Sequence, residues 1–106
     1  MRGALAGPIL GALLLALAAG SARAEVIEIR AEKLGFTPAQ ISAHVGDTIE
    51  WTNADFVAHT ATGRKKEWDV TIPAKGNGRV TLRRAGAIDY YCRFHPNMVG
   101  RIVVAD

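Results

Sequence analysis

The sequence predicts an all-β protein, a Greek-key β-sandwich of about seven or eight short strands. Apolar residues recur at every second position in several short segments, which is the period of a strand with one buried face. Glycine, asparagine, aspartate and proline separate these segments, as expected for tight turns. After residue 24 no apolar pattern of helical period extends beyond a single turn. These observations together favour an antiparallel sandwich over any helical fold.

The first 24 residues are predicted to be a secretory signal peptide that precedes the fold. Met1-Arg2 supplies a positive start, residues 9–19 form an apolar stretch, and Ala22-Arg23-Ala24 has the small-x-small pattern of a cleavage site. A retained membrane anchor is the alternative, although Pro8 and several glycines interrupt an apolar core shorter than the ~20 residues that span a bilayer. We therefore expect a single domain over residues 25–106, exported to the periplasm.

The alternation defines the predicted strands in order along this domain. It begins at residue 26, stops at a break over residues 35–38, and later resumes on both sides of a turn at Lys75-Gly76-Asn77-Gly78. Residues 54–67 lack regular alternation, so we expect them to be mostly loop. The predicted strands are residues 26–32, 41–45, 49–51, 68–72, 80–82, 88–92 and 99–105.

Tyr90 is the residue that favours a Greek key in particular. It follows a strand break at Ala85-Gly86 and lies two positions before Cys92. This placement is typical of a tyrosine corner, in which the phenol bonds to backbone upstream and fixes a strand crossover. An ordinary core tyrosine is the alternative.

The composition directs attention to the single cysteine. Small exported domains often depend on disulfides or a metal for stability, and one cysteine among 106 residues cannot form an internal disulfide. Metal ligation would explain an unpaired thiol in an oxidising compartment, and deep burial is the simpler alternative. The net charge is only +3, and the basic clusters Arg64-Lys65-Lys66 and Arg83-Arg84 lack interleaved aromatic residues, so nucleic-acid binding is not expected.

Cys92, His95 and Met98 form the most informative motif. Thiolate and thioether are soft ligands and imidazole is intermediate, and a site of two histidines and a cysteine with a weak axial methionine is typical of copper in electron transfer. An extended strand would spread residues 92–98 over about 20 Å. Pro96 and Asn97 are suitable for the turn that would bring the three side chains together.

A second histidine must come from elsewhere in the chain. Alternation places His44 opposite Ile41, Ala43 and Val45, and therefore on a solvent-facing side. His59 follows a predicted strand end and an apolar segment, Phe56-Val57-Ala58. His59 is the better candidate ligand.

The segments around these residues resemble the cupredoxins, the type 1 blue copper proteins, and within them the amicyanin and plastocyanin-like branch. The resemblance covers residues 25–106. It implies that His59, Cys92 and His95 are equatorial copper ligands, that Met98 is the axial ligand, and that Asn53 ties the two ligand loops together. The segments that carry it are Phe36-Thr37-Pro38-Ala39-Gln40-Ile41, Val45-Gly46-Asp47-Thr48-Ile49-Glu50-Trp51-Thr52-Asn53, and Ala85-Gly86 through Asp89-Tyr90-Tyr91-Cys92 with His95-Pro96 and Met98.

Two departures from the amicyanin pattern stand out. His59 and Cys92 are only 33 positions apart, which predicts a trimmed strand or loop between them. Phe94 occupies a position where that pattern has proline, which has no backbone N–H. We expect the Phe94 N–H to donate to the Cys92 sulfur and so to raise the reduction potential relative to a site with proline.

The function implied by the resemblance is single-electron transfer through Cu(I)/Cu(II) cycling, without enzymatic activity. The expected partners are redox proteins, either c-type cytochromes or a periplasmic dehydrogenase or oxidase, which a monomer would meet transiently. His95 would serve as the electron port inside an apolar patch of Phe36, Pro96 and Val99, and Arg93 with residues 64–66 would steer an acidic partner. The alternatives are a periplasmic copper carrier or buffer without electron transfer and an immunoglobulin-like interaction domain without metal.

Overall fold

The computed structural model describes residues 23–106. The predicted signal peptide, residues 1–24, therefore lies almost wholly outside the described residues. Within residues 23–106 there are nine strands, β1 Val26–Glu32, β2 Gly35–Thr37, β3 Gln40–His44, β4 Thr48–Asn53, β5 His59–Gly63, β6 Asp69–Ile72, β7 Asn77–Thr81, β8 Gly86–Tyr91 and β9 Val99–Ala105. No helix in this part of the chain is long and apolar enough to cross a membrane.

The strands form two sheets that pack face to face as a sandwich. One has the order β2-β1-β4-β7 and the other β3-β9-β8-β5-β6. The β1–β4 and β3–β9 pairs are parallel and the remaining pairs are antiparallel. The chain crosses between the sheets repeatedly, because β3 lies between β2 and β4 in sequence but belongs to the other sheet. The predicted all-β sandwich is confirmed, with nine strands in place of seven or eight, but the prediction of purely antiparallel pairing is wrong for β1–β4 and β3–β9.

The core is formed by the inward-facing residues of both sheets. On β4, Ile49, Trp51 and Asn53 are buried and alternate with partly exposed neighbours, as the period of a strand requires. The largest apolar or aromatic side chains that are almost wholly buried are Trp51, Tyr90, Ile29, Ile49, Ile72, Leu82, Met98 and Ile102. Because Met98 belongs to this set, the core extends to the predicted ligand loop.

Two segments that we predicted to be irregular form strands. The prediction of loop over residues 54–67 is wrong for His59–Gly63, which is β5, and the predicted break at residues 35–38 contains the short strand β2. All five residues of β5 are buried, so both of its faces are covered. A strand covered on both faces need not alternate apolar with polar residues, and His-Thr-Ala-Thr-Gly does not.

Tyr90 does not form a tyrosine corner. Its hydroxyl accepts a hydrogen bond from the Trp51 Nε1–H at 3.3 Å, and among residues 23–106 it forms no hydrogen bond with upstream backbone. Burial raises the pKa of Tyr90 to about 12, so the phenol stays protonated at neutral pH. Since Trp51 lies on β4 and Tyr90 on β8, this bond joins the two sheets across the core.

Candidate metal centre

The site is formed where two neighbouring strands meet at one end of the sandwich. His59 is the first residue of β5, and Cys92 directly follows the last residue of β8. The two strands pair antiparallel, which places the start of one beside the end of the other. Residues 92–98 then turn back into β9 and bring His95 to the same place.

Three side chains converge here as the sequence predicted. One ligand atom each from His59, Cys92 and His95 lies within 4.8 Å of the others, and no carboxylate belongs to this cluster among the described residues. Nδ1 of His59 and Nδ1 of His95 each lie 3.7 Å from the Cys92 sulfur. Metal–nitrogen and metal–sulfur bonds of roughly 2.0–2.3 Å in a trigonal plane separate their donor atoms by roughly 3.7 Å. The three atoms therefore fit a single metal ion, and the thiolate–imidazole set suits copper.

Met98 is held beside Cys92 by the backbone of the ligand loop. Its N–H donates to the His95 carbonyl at 2.9 Å, and its carbonyl accepts from the Cys92 N–H at 3.0 Å. The Met98 side chain is fully buried. The two backbone bonds close a compact turn from Cys92 to Met98, which is the loop that the spacing of the three residues required.

The buried imidazole of His59 has an outer partner that sequence reasoning missed. Its Nε2 lies 2.7 Å from Oδ2 of Asp55, and a carboxylate can only accept, so Nε2 carries the proton and Nδ1 is free to bind a metal. The hydrogen bond from His59 also holds the pKa of the Asp55 carboxyl below its ordinary value. A carboxylate four positions before a candidate histidine ligand was the available signal in the sequence.

The Cys92 sulfur accepts a hydrogen bond from Thr60, and not from Phe94 as we expected. The Thr60 N–H lies 3.4 Å from the sulfur, whereas no hydrogen bond from the Phe94 N–H is formed within residues 23–106. Phe94 is about half exposed, at 52%. Our expectation that Phe94 raises the reduction potential through this bond therefore has no support in the geometry.

Asn53 organises the loop before His59 but does not reach the Cys92 loop. Its side-chain amide donates to the carbonyls of Val57, Ile72 and Pro73, and its Oδ1 accepts from the Asp55 N–H at 2.8 Å. The link between the two ligand segments that we assigned to Asn53 is made by Thr60, whose hydroxyl accepts from the Arg93 N–H at 2.8 Å.

The surface near His95 differs in part from the predicted apolar patch. His95 is half-buried, Pro96 is exposed and Val99 is 46% exposed, as expected, but Phe36 is buried at 4% and packs on the Tyr90 ring. Three further apolar side chains are exposed close to the candidate ligands in sequence, namely Phe56 and Val57 before His59 and Phe94 before His95. His44, which we set aside as a ligand, is exposed.

Comparison with known proteins supports the same assignment. The profile of the "Cupredoxin-like domain" family matches residues 5–104. Amicyanin-alpha of Methylorubrum extorquens is 31% identical over 101 residues, which cover 84% of this chain and 85% of the relative. Amicyanin of Paracoccus versutus is 24% identical over 94 residues, covering 83% of this chain and 71% of the relative.

Solved structures of amicyanins share the fold. The crystal structure of the Paracoccus versutus protein superposes with a TM-score of 0.65 at 25% identity and covers 81% of this chain and 87% of its own. The Cu(I) form of an amicyanin variant gives a TM-score of 0.66 at 28% identity, covering 82% of this chain and 88% of its own. By sequence, fold and the convergence of His59, Cys92 and His95, the chain belongs to the cupredoxin-like family and resembles the amicyanins.

Proposed function

We propose that the protein is a type 1 copper electron carrier in which His59, Cys92 and His95 would hold the copper ion, with Met98 as a further, weaker ligand. The observation that carries the proposal is the approach of two imidazole Nδ1 atoms to one buried thiol, each at 3.7 Å. One bound copper ion per chain supplies single-electron exchange between Cu(I) and Cu(II). The protein is a carrier and not an enzyme.

The role of the protein is to hold the donor atoms in one arrangement in both oxidation states. His59 and Cys92 are fully buried, and each has an outer hydrogen bond, from His59 to Asp55 and from the Thr60 N–H to the Cys92 sulfur. Groups fixed by strands and by outer hydrogen bonds move little when the charge of a site changes. Little reorganisation is what fast electron exchange requires.

Electrons would pass through His95, the one histidine of the cluster that is only half-buried. The partly exposed apolar residues Phe94, Pro96 and Val99 lie near it in sequence and offer a dry contact surface. Small, transient redox interfaces typically bury less than about 1,200 Å² in total. We expect a monomer that meets redox proteins through this face, either c-type cytochromes or a periplasmic dehydrogenase or oxidase.

Of the basic residues that we expected to steer a partner, Arg93 belongs to the ligand loop. Residues 64–66 follow the opposite end of β5 from His59. A steering effect would therefore depend mainly on Arg93, and a salt-independent association rate would contradict it.

The proposed location is the periplasm. Cleavage after Ala24 would release residues 25–106 as the mature domain, which contains every strand of the structure. Support comes from the charged start, the apolar stretch and the small-x-small pattern of the first 24 residues. N-terminal sequencing of the protein recovered from a periplasmic extract tests this directly, since Glu25 should be the first residue.

The decisive experiment is a visible spectrum of the exported protein loaded with Cu(II), followed by reduction and reoxidation. We expect an intense thiolate-to-copper band that disappears on reduction and returns on oxidation. Cys92→Ser should abolish the band, and the control His44→Ala should leave it unchanged because His44 is exposed and outside the cluster.

Other outcomes would identify the alternatives. A protein that binds Cu(I) tightly but gives no band after oxidation would be a copper carrier. A folded protein that retains no copper would be an interaction domain.

A further inference from the structure

A closed ring of hydrogen bonds connects the ligand loop to a surface carboxylate. The Arg93 N–H donates to the Thr60 hydroxyl at 2.8 Å, and the hydroxyls of Thr60 and Thr62 lie 3.0 Å apart. The Thr62 hydroxyl donates to Oδ1 of Asp69 at 2.7 Å, and Nε of Arg93 donates to the same oxygen at 3.2 Å. The ring therefore starts and ends on Arg93, the residue after the proposed ligand Cys92.

The carboxylate sets the direction of every bond in the ring. An ionised carboxylate can only accept, so the Thr62 proton points to Asp69. The Thr62 oxygen must then accept the Thr60 proton, which leaves the Thr60 oxygen free to accept from the Arg93 N–H. Bonds ordered in this way strengthen one another, and the bond to an ionised group is the strongest of them.

The direction of these hydrogen bonds matters because the two threonine hydroxyls are buried. Thr60 is fully buried and Thr62 is 8% exposed, although they alternate with the core residue Ala61 and thus lie on the opposite face of β5. Asp69 is paired with Thr62 across β5 and β6, and its side chain is 55% exposed. The Thr62 hydroxyl, assisted by Arg93, holds the pKa of the Asp69 carboxyl below its ordinary value. The Thr60 hydroxyl is fully buried and cannot bond to water instead of Thr62. A change at Thr62 would therefore alter the bond that Thr60 accepts from the Arg93 N–H.

We propose that Asp69 is a positioning residue for the Cys92 thiolate. Through Thr62 and Thr60 it fixes the backbone on both sides of the sulfur, because Thr60 also supplies the N–H that donates to that sulfur. The ring itself is a property of the metal-free chain, and only its effect on the reduction potential rests on the proposed function.

The first test measures amide hydrogen exchange in the copper-free protein. Thr62→Val removes the middle hydroxyl at nearly constant volume, and Asp69→Ala removes the terminal acceptor. In both variants the Arg93 N–H keeps its acceptor, the Thr60 hydroxyl, but that bond is weakened. The Arg93 amide should therefore exchange at least about twofold faster relative to amides of the β1–β4 pair. The matched control is Asp89→Ala, because the Asp89 side chain is 52% exposed and also pairs with an arginine, at 3.0 Å, but bonds to no hydroxyl among residues 23–106.

Unchanged exchange at Arg93 in Thr62→Val, or the same change in Asp89→Ala, would overturn the proposal. The ratio to the β1–β4 amides separates a local effect from a general loss of stability.

The second test measures the reduction potential and the thiolate band of the copper-loaded variants. Asp69→Asn removes the negative charge but keeps an oxygen acceptor. Its reduction potential should therefore rise, as that of Asp89→Asn should, because each variant loses one negative charge. Asp69→Ala should instead give a lower potential than Asp69→Asn, and Thr62→Val, which keeps the charge of Asp69, should give a lower potential than the wild type. Both should displace the band, because a weaker hydrogen bond leaves more electron density on the sulfur.

Equal potentials in Asp69→Asn and Asp69→Ala, with an undisplaced band, would mean that Asp69 acts only through its charge, and would overturn the proposal. A wild-type protein without the thiolate band would contradict the proposed function, and the exchange experiment would still decide whether the ring exists.

Discussion

At the scale of single residues, the site depends on the hydrogen-bond partners of its candidate ligands as well as on the ligands themselves. Cys92, His95 and Met98 could be singled out from the sequence because thiol, imidazole and thioether at this spacing have few other uses together. Asp55 offered only the weak signal of its position four residues before His59, and Thr60 offered none, because carboxylates and hydroxyls are common everywhere in a chain. Their roles become visible only when Asp55 Oδ2 lies 2.7 Å from His59 and the Thr60 N–H lies 3.4 Å from Cys92.

The carboxylate behind His59 leads to a prediction about copper retention. Asp55→Ala removes the acceptor that orients the imidazole and fixes its tautomer, so the affinity for copper should fall roughly 10- to 100-fold. Competition titration against a chelator of known affinity measures this. Glu28→Ala, an exposed acid on β1, is the control and should leave the affinity unchanged. An unaltered affinity in Asp55→Ala would show that packing alone orients His59.

At the scale of elements, the pattern of burial explains both the success and the failure of strand prediction. Strands with one exposed face, such as β4 and β9, alternate and were predicted. β5 is buried on both faces and was predicted as loop, although it carries His59. Its identity as a strand depends on its pairing with β6 and β8, which a local pattern does not contain.

The β8–β9 pair leads to a prediction about packing. Gly100 lies opposite Tyr90, and a methyl group at Gly100 would overlap the Tyr90 ring. Gly100→Ala should lower the free energy of unfolding by about 1–3 kcal/mol, because the ring is held by Trp51 and cannot move freely. Urea denaturation of the copper-free protein measures the loss. Gly35→Ala is the control, since a methyl group there makes only ordinary contact, and an equal loss in both variants would contradict the steric explanation.

At the scale of the whole molecule, Asp47 joins segments that are distant in sequence and belong to different sheets. Its carboxylate accepts from the Glu25 N–H at 2.9 Å, before β1, and from the His44 N–H at 2.8 Å, at the end of β3. β1 and β3 lie in opposite sheets. These two backbone donors hold the pKa of the Asp47 carboxyl below its ordinary value.

This lowered pKa leads to a prediction about acid stability. A carboxyl whose pKa is lower in the folded than in the unfolded protein stabilises the fold above the unfolded value, and the effect is lost as the pH falls through the folded value. Asp47→Asn should therefore be less stable than the wild type at neutral pH, and the difference should shrink progressively below about pH 4. Unfolding free energies of both proteins across this range provide the measurement. A difference that stays constant into acid would mean that the charge of Asp47 contributes nothing.

The order of residue types along the chain was enough to predict the class of fold and the candidate ligands. Alternation is a local property, and the chemistry of Cys92, His95 and Met98 is carried by residue type and spacing, so neither needs a three-dimensional structure. The tertiary structure decided which groups support the site. Phe36 is buried against the Tyr90 ring, and the Tyr90 hydroxyl accepts a hydrogen bond from Trp51. Thr60 makes the link between the two ligand segments that we assigned to Asn53. The physical reason is that such partners are distant in sequence and are brought together only by the pairing of strands and the packing of the two sheets.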